Sequence, residues 1–379
     1  MINKTEQEIY EKIFENSMRL ACEDTPEVKE MILAINDKVS DEGKELHNDS
    51  IVIDLCTFSL ERYAWNLAAS GVTAMNCTVP ATKDAAGAAV QKIIDYYGTV
   101  QDNPDHLMMV YEPNDIIKAK RDDKVGVIIG AQSCEFVHHD DLDASMNLFQ
   151  RMGLRVMTLA YNHRTFAADG CYSGDNAGLT LDGKKLIKAM EKYGVTVDLS
   201  HVGERSTLEA MDFCSKPPIF SHNNPMGLFK HVRNATDEQA KKCAALGGVL
   251  GVSSYSPTLY NGIDFPTIET FVDCIDYYVD LIGIDHVGIG LDSDATVGGY
   301  EHRNLMYFHK LLRDTAGKDS IGYKGYMAGR GYLAAKLDGL MNMANFCNVT
   351  DHLIKRGYKK QDIKKIIGEN WLRVFRETW

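Results

Sequence analysis

Apolar and polar positions repeat as one unit along most of the chain: a short apolar run is followed by a polar, helix-like stretch. Amphipathic stretches such as DLDASMNLFQRMG, TLDGKKLIKAMEKYG and DEQAKKCAALGG end in the glycine that is typical of helix C-termini. Most of the apolar runs lack polar alternation, which indicates strands buried on both faces of a parallel sheet. Eight runs have strand length: IVIDL (51–55), VTAMNCTV (72–79), KVGVIIG (124–130), LRVMTLA (154–160), GVTVDLS (194–200), PPIFS (217–221), GGVLGVS (247–253) and HVGIGLD (286–292).

Eight strands alternating with helices predict an α/β fold of the (β/α)8 or TIM-barrel class, because eight parallel strands close a barrel. The alternative is an open, doubly wound sheet, but its Gly-rich phosphate fingerprint is missing. The GIG at 288–290 lacks the third glycine and the following helix, so we interpret it as a tightly packed barrel strand.

Two regions lie outside the repeat. Residues 1–46 read as a helical N-terminal extension that packs against the barrel, which leaves 47–379 as a single catalytic domain. Residues 293–350, rich in Gly and Tyr, form a long segment after the eighth strand. A segment of this length inside a compact domain is usually functional, and we expect it on the active face.

Composition narrows the class of partner and the compartment. The 53 acidic and 41 basic residues give a net charge of −12, which argues against nucleic-acid or anionic-membrane partners. No run of about 18 apolar residues is present to span a bilayer. The charged start, MINKTEQEIYEKIF, has no apolar h-region, and the nine cysteines include no CxxC pair. We therefore expect a cytoplasmic protein with free thiols.

Metal-ligand residue types occur at three predicted strand ends. TVDLSH ends in His201, PIFSH ends in His222, and VGIGLDSD contains Asp292 and Asp294. In a barrel, the carboxyl ends of the strands carry the chemistry. A lone histidine at a strand end is more often a hydrogen-bonded structural group. Two histidines in matching positions on adjacent strands, together with an aspartate on the strand that closes the barrel, favour a site for a divalent metal such as zinc.

From Leu154 to Asp292 the chain resembles the membrane (renal) dipeptidase family of metallopeptidases, within the amidohydrolase-like barrels. The similarity is weakest before Val125 and across 295–360. The resembling stretches are LRVMTLAYN, AGLTLDGKKLIKAMEKYGVTVDLSHVGERSTLEAM, PPIFSHNNPMGLFKHVRN, GGVLGVSSY, VGIGLDSD and the C-terminal GENWLRVF. The resemblance implies a metal-dependent hydrolase and a homodimer.

The resemblance also implies roles for individual residues. His201 and His222 match the family's two zinc-ligating histidines, and Asp292 matches its aspartate that contacts metal and handles the catalytic proton. Arg233 matches the arginine that clamps the substrate carboxylate, and Tyr255 matches a tyrosine on the substrate side.

Three expected metal ligands and two further histidines are absent. Cys56 and Phe58 replace the family's H-x-D on strand one, and its bridging glutamate on strand three falls at Ile129. Gln132 takes the place of a histidine in the same motif, on the substrate side. Tyr161 replaces the histidine that polarises the scissile carbonyl.

These departures predict at most one metal, most favourably zinc, held by His201, His222 and Asp292. Cys56 is either a further metal ligand or an inert buried thiol, and buried thiols are more often inert. Tyr161, with Asn162, is expected to replace the missing histidine as an oxyanion donor. Glu135, His138 and His139 lie in an inserted loop, where solvated polar residues are the usual occupants.

Three functions fit this pattern. The first is a mononuclear metallohydrolase that acts on a dipeptide or a small N-acyl amino acid. The second is a lyase, or a C–N or C–C hydrolase, for a small carboxylate or amine with one metal or none, since a barrel does not fix the chemistry. The third is a non-catalytic ligand-binding homologue. A small molecule with a carboxylate is the expected partner.

Overall fold

Among the residues that the structure describes, the sheet contains nine parallel strands, eight of which follow one another in chain order. The computed structural model describes residues 26–58, 60–79, 86–261, 264, 266–293 and 337–379. The strands are β1 (Ile53–Thr57), β2 (Ala74–Val79), β3 (Leu107–Met109), β4 (Val125–Ala131), β5 (Leu154–Thr158), β6 (Thr196–Asp198), β7 (Ile219–Phe220), β8 (Val249–Val252) and β9 (Val287–Ile289). All eight predicted strands are present; β1 and β4 are as long as their apolar runs but begin two residues and one residue later, and the other six are shorter.

Hydrogen bonds between the two ends of the sheet close the barrel. The backbone N–H of Phe58 donates to the carbonyl of Ser293 at 2.9 Å, and the N–H of Ser293 donates to the carbonyl of Cys56 at 3.3 Å. The (β/α)8 prediction is therefore confirmed, and the open-sheet alternative is wrong.

One strand, β3, was not predicted. It pairs with the first half of β4, Val125 to Val127, whereas β5 pairs with the second half, so the two strands share one edge of β4. Its sequence, LMM, is too short to show a period, and the loop that carries it reads as polar.

Helices cover the outside of the barrel and follow the amphipathic stretches. They are α1 (Pro26–Asn36), α2 (Asp41–Asp49), α3 (Trp65–Ala68), α4 (Ala86–Asp102), α5 (Pro113–Arg121), α6 (Leu142–Arg151), α7 (Leu181–Tyr193), α8 (Glu204–Phe213), α9 (Asp237–Ala245), α10 (Ile268–Ile282), α11 (Phe346–Lys355), α12 (Lys360–Lys364) and α13 (Asn370–Thr378). The predicted glycine ends are found after α6, α7 and α9, where Gly153, Gly194 and Gly247 have positive φ.

The C-terminal helix α13 packs against the amino-terminal part of the barrel interior. Trp371 is fully buried, and its Nε1 donates to the carbonyl of Ile289 at 3.1 Å. A Cβ at Gly288 would lie 2.5 Å from the Trp371 ring, and one at Gly290 would lie 2.0 Å from the carbonyl of Ser221. The GIG of β9 is thus a tightly packed strand, as predicted.

The N-terminal extension is helical where it is described. Its predicted end at residue 46 falls inside α2, which continues to Asp49 and packs against α11. Most of the predicted 293–350 segment, residues 294–336 with Asp294, lies outside the described residues. In the described part of the chain, no helix combines the length and apolarity needed to cross a membrane.

Candidate active site

The predicted metal ligands lie together at the carboxyl end of the barrel. His201 follows β6, His222 follows β7, Asp292 follows β9, and Cys56 is the fourth residue of β1. His201 and Asp292 both have left-handed backbone conformations, with φ of +66° and +58°. Such conformations cost non-glycine residues roughly 1–3 kcal/mol and are concentrated at functional sites.

Hydrogen bonds at Nδ1 fix the orientation of both imidazoles. His201 Nδ1 lies 2.7 Å from Oδ1 of Asn162, which can only accept, so His201 donates from this atom. His222 Nδ1 lies 2.7 Å from Oγ of Ser221, and this hydroxyl donates to Asp198 at 2.5 Å. Because the hydroxyl proton points to Asp198, His222 also donates from Nδ1.

The two Nε2 atoms consequently present lone pairs to each other, at 2.9 Å. Two acceptors at this distance repel unless a proton or a metal ion lies between them. Burial lowers the pKa of both His201 and His222 well below the usual range, and the positive charge of Arg233 lowers it further. Since protonation is disfavoured, the pair fits a divalent metal ion, for which a neutral imidazole is the binding form.

A thiol and a carboxylate lie next to His222. Ligand atoms of Cys56, His222 and Asp292 all lie within 4.8 Å of one another, the only such group of metal-ligating residues in the described chain, and His201 is not a member of it. Cys56 Sγ donates to Asp292 Oδ1 at 3.3 Å, and His222 Nε2 is 3.9 Å from the same oxygen. Burial raises the pKa of Cys56, and the charges of Asp292 and Asp54 raise it further. Thiolate, imidazole and carboxylate are all zinc ligands.

The structure places Ile129 and Gln132 differently. Ile129 is buried in the apolar core. The Nε2 of Gln132 donates to Cys56 Sγ at 3.2 Å, which brings Gln132 to the group of Cys56, His222 and Asp292. Neither side chain has a carboxylate that could bridge two metals.

Phe58 and the loop residues add no ligand. Phe58 has no metal-binding side-chain atom, and its backbone takes part in barrel closure. Glu135, His138 and His139 are exposed and lie outside the group of Cys56, His222 and Asp292. This placement fits solvated loop residues.

Arg233 is held rigidly beside the two histidines. It is buried, and its guanidinium donates to Asn223 Oδ1 and to the carbonyl of His222, both at 3.2 Å. These contacts fix the plane of the guanidinium, which is the geometry needed for bidentate binding of a carboxylate.

Two tyrosines lie at the same end of the barrel. The Tyr161 ring packs on the His201 ring with 4.2 Å between centroids. Burial raises the pKa of Tyr161 and of Tyr255 above the usual range, and the Asp292 charge adds to the effect in both. Both hydroxyls therefore stay protonated at neutral pH and can donate hydrogen bonds.

Sequence reasoning missed the residues that support the ligands. Asp198 and Ser221 orient His222, and Asn223 orients Arg233. Asp54 accepts from the N–H of Leu291 at 2.7 Å, which joins β1 to the chain just before Asp292. Burial raises the pKa of Asp54 to about 7 despite this bond. In the sequence, these supporting residues are indicated only by their position close to the predicted ligands, in the stretches DLSH, SHNN and IDLC.

Comparison with known proteins identifies the family. The model of the membrane dipeptidase family (peptidase family M19) matches residues 66–306 and 308–379. The chain belongs to this family. The resemblance drawn from the strand-end motifs is thereby confirmed, and the family implies a metal cofactor.

Individual relatives span the fold. An amidohydrolase from Pseudomonas aeruginosa is 32% identical, with a TM-score of 0.75, over 89% of this chain and 99% of that one. A metallo peptidase from Rhodobacter sphaeroides, solved with a phosphinate mimic of the dipeptide L-Ala-D-Ala, shares the fold at 18% identity and a TM-score of 0.69, over 87% of this chain and 100% of that one. Dipeptidase tcpJ of Claviceps purpurea is 26% identical over 292 residues, which are 76% of this chain but 58% of that protein.

Proposed function

We propose that this protein is a dipeptidase-like metallohydrolase that cleaves the amide bond of a dipeptide or small N-acyl amino acid with one zinc ion per chain. Family membership supports the reaction class. The observation that carries the proposal is that the lone pairs of His201 and His222 face each other at 2.9 Å, with Asp292 Oδ1 3.9 Å from His222 Nε2.

Residues of the chain bind the metal, transfer the proton and bind the substrate carboxylate. His201, His222 and Asp292 would hold the metal, which when bound lowers the pKa of a water molecule and polarises a carbonyl. Asp292 takes the proton of the attacking water and delivers it to the leaving amine. Arg233 holds the substrate carboxylate with two parallel hydrogen bonds.

Tyr161 donates to the oxyanion from its protonated hydroxyl. Asn162 uses Oδ1 to orient His201, so its Nδ2 is the atom that would serve the substrate. Tyr255 and Gln132 line the substrate side of the site.

Metal analysis followed by a substrate panel tests this function. Protein purified without a His-tag is expected to contain about one zinc per chain, because Phe58 and Gln132 supply no carboxylate for a second ion. The panel comprises L-Ala-D-Ala, L,L-dipeptides and N-acyl amino acids, and amine release is measured. The phosphinate mimic of L-Ala-D-Ala is expected to inhibit. Two equivalents of zinc, or a loaded enzyme inert on the whole panel, would contradict the proposal.

A second candidate is favoured by two departures from the family pattern. Phe58 and Ile129, in place of the family's aspartate and glutamate ligands, make the mouth more apolar, which suits a lyase or a C–N or C–C hydrolase acting on a small carboxylate or amine. An inert panel with one bound metal would point to this class. A non-catalytic homologue is less favoured, because a protein without catalysis has little reason to keep His201, His222, Asp292 and Arg233 together.

We also propose a cytoplasmic homodimer without nucleic-acid or membrane partners. The net charge of −12 supports the last part, since phosphate-rich surfaces attract clustered Lys and Arg. Light scattering at micromolar concentration is expected to give twice the chain mass of 42.3 kDa, and a monomer would contradict the dimer.

A further inference from the structure

We propose that Cys56 is a thiolate ligand of the metal, so that this chain has a mononuclear site built on Cys56, His222 and Asp292 that is selective for thiophilic cations. The inference rests on the proposed function for the presence of a metal and goes beyond it in naming a sulfur ligand and the metal class. Cys56, whose role the sequence did not decide, would then determine which metal ion binds.

The geometry places the sulfur among the ligands. Sγ of Cys56 lies 3.3 Å from Asp292 Oδ1, and the three ligand atoms of Cys56, His222 and Asp292 fit within 4.8 Å. The side chain is 1% exposed, so the thiol has no access to solvent that would make it a surface nucleophile. Inert buried thiols, such as Cys77, pack among apolar side chains instead.

Charge balance supports the assignment. A Cys56 thiolate and the Asp292 carboxylate carry two negative charges, which offset one divalent cation in a buried place where excess charge is costly. The neighbouring Gln132 is neutral and donates an N–H to the sulfur at 3.2 Å, which stabilises a thiolate. A glutamate at this position would repel it. Cysteine at 56 and glutamine at 132 are therefore a matched pair.

The donor set determines the preferred ion. Thiolate and imidazole ligands favour zinc and cadmium, whereas manganese and magnesium prefer carboxylate, carbonyl and water oxygens. On binding, one S–H bond is broken, one sulfur–metal bond forms, and the proton leaves to solvent.

Cobalt(II) is the probe that reports sulfur ligation directly. Metal-free full-length protein is titrated with cobalt(II) chloride, and absorption is followed in the near ultraviolet, where sulfur-to-cobalt charge transfer appears. We expect the band to saturate at one equivalent in the wild type, to be lost in Cys56→Ser, and to persist in the matched control Cys77→Ser. Circular dichroism checks that each variant is folded. Cys56→Asp, which keeps a ligand but has no sulfur, covers the case in which Cys56→Ser does not fold.

Metal competition gives a second readout. The preference for cadmium over manganese is expected to fall by more than about 100-fold in Cys56→Asp, beyond the 10–100-fold typical of residues that act through a ligand. Stoichiometric cobalt binding without the band in the wild type would overturn the role of Cys56 and leave the single-metal function standing. No cobalt binding by the wild type would overturn both.

Discussion

At the scale of single residues, the site depends on backbone conformations that side chains seldom adopt. His201 and Asp292 both sit in left-handed turns directly after their strands. These turns place the imidazole of His201 2.9 Å from His222 and the carboxylate of Asp292 3.9 Å from His222. The cost of the conformations is offset by the closed barrel that surrounds them.

Asp292→Asn tests the proton carrier. The amide keeps the shape of the side chain but cannot accept the proton of the attacking water, so kcat is expected to fall by roughly two to four decades. Zinc content is expected to fall less, since the two histidines remain. Exposed Asp285, paired with Lys365, provides the control Asp285→Asn. Unchanged turnover in Asp292→Asn would remove this residue from the proton path.

Arg233→Ala tests the carboxylate clamp. Loss of a charge-assisted, bidentate contact is expected to raise KM by about 30-fold, equivalent to about 2 kcal/mol, for substrates that carry a carboxylate. Because Arg233 also donates to the carbonyl of His222, zinc content is measured in parallel. Arg205→Ala, on the surface, is the control. An unchanged KM with abolished kcat would show that Arg233 does not bind the carboxylate of the substrate before the reaction.

At the scale of elements, hydrophobic periodicity predicted the strands. It did not predict which side chains of neighbouring strands contact one another. Long apolar runs identified eight strands, and their ends identified His201, His222 and Asp292. Periodicity does not show contacts between strands, such as the hydrogen bond from Gln132 to Cys56, which lies 76 residues earlier in the chain. It therefore could not place Gln132 beside Cys56.

Between β6 and β7, Asp198 and Ser221 hold His222 in one tautomer. Ser221→Ala removes the hydroxyl that accepts from His222 Nδ1, and zinc affinity is expected to fall about 10- to 100-fold. Ser221→Thr keeps a hydroxyl and is expected to restore most of the affinity. Competition with a chromogenic chelator measures both. Equal affinities in wild type and Ser221→Ala would show that the hydroxyl does not orient the ligand.

At the scale of the whole molecule, the site exists only because the barrel closes. Cys56 and Asp292 are 236 residues apart in sequence and meet across the joint between β1 and the chain after β9. Such a contact has no local sequence signal, which is why Cys56 could not be assigned from the sequence. The same holds for His47, which joins α2 to α11 and to Ser70, in the loop between α3 and β2.

His47 makes the stability of the assembled molecule depend on pH. It is 1% exposed, its Nδ1 lies 2.7 Å from Thr350 Oγ1, and its Nε2 lies 2.9 Å from the carbonyl of Ser70. A carbonyl only accepts, so the ring donates from Nε2, and Nδ1 accepts from the hydroxyl. Burial lowers the pKa of His47 from 6.5 to about 4, outweighing the hydrogen bond to Ser70, which raises it.

The sign of the pH effect follows from this lowered pKa. The unfolded chain takes up a proton at His47 below about pH 6.5, whereas the folded protein does so only near pH 4, so the contribution is complete above pH 6.5 and is lost as the pH falls. Between pH 7 and pH 5 the loss is about 2 kcal/mol. His47→Gln keeps a donor towards Ser70 but does not titrate. Urea unfolding at both pH values is therefore expected to show a wild-type decrease about 2 kcal/mol larger than that of His47→Gln, and equal decreases would show that His47 is not the titrating group.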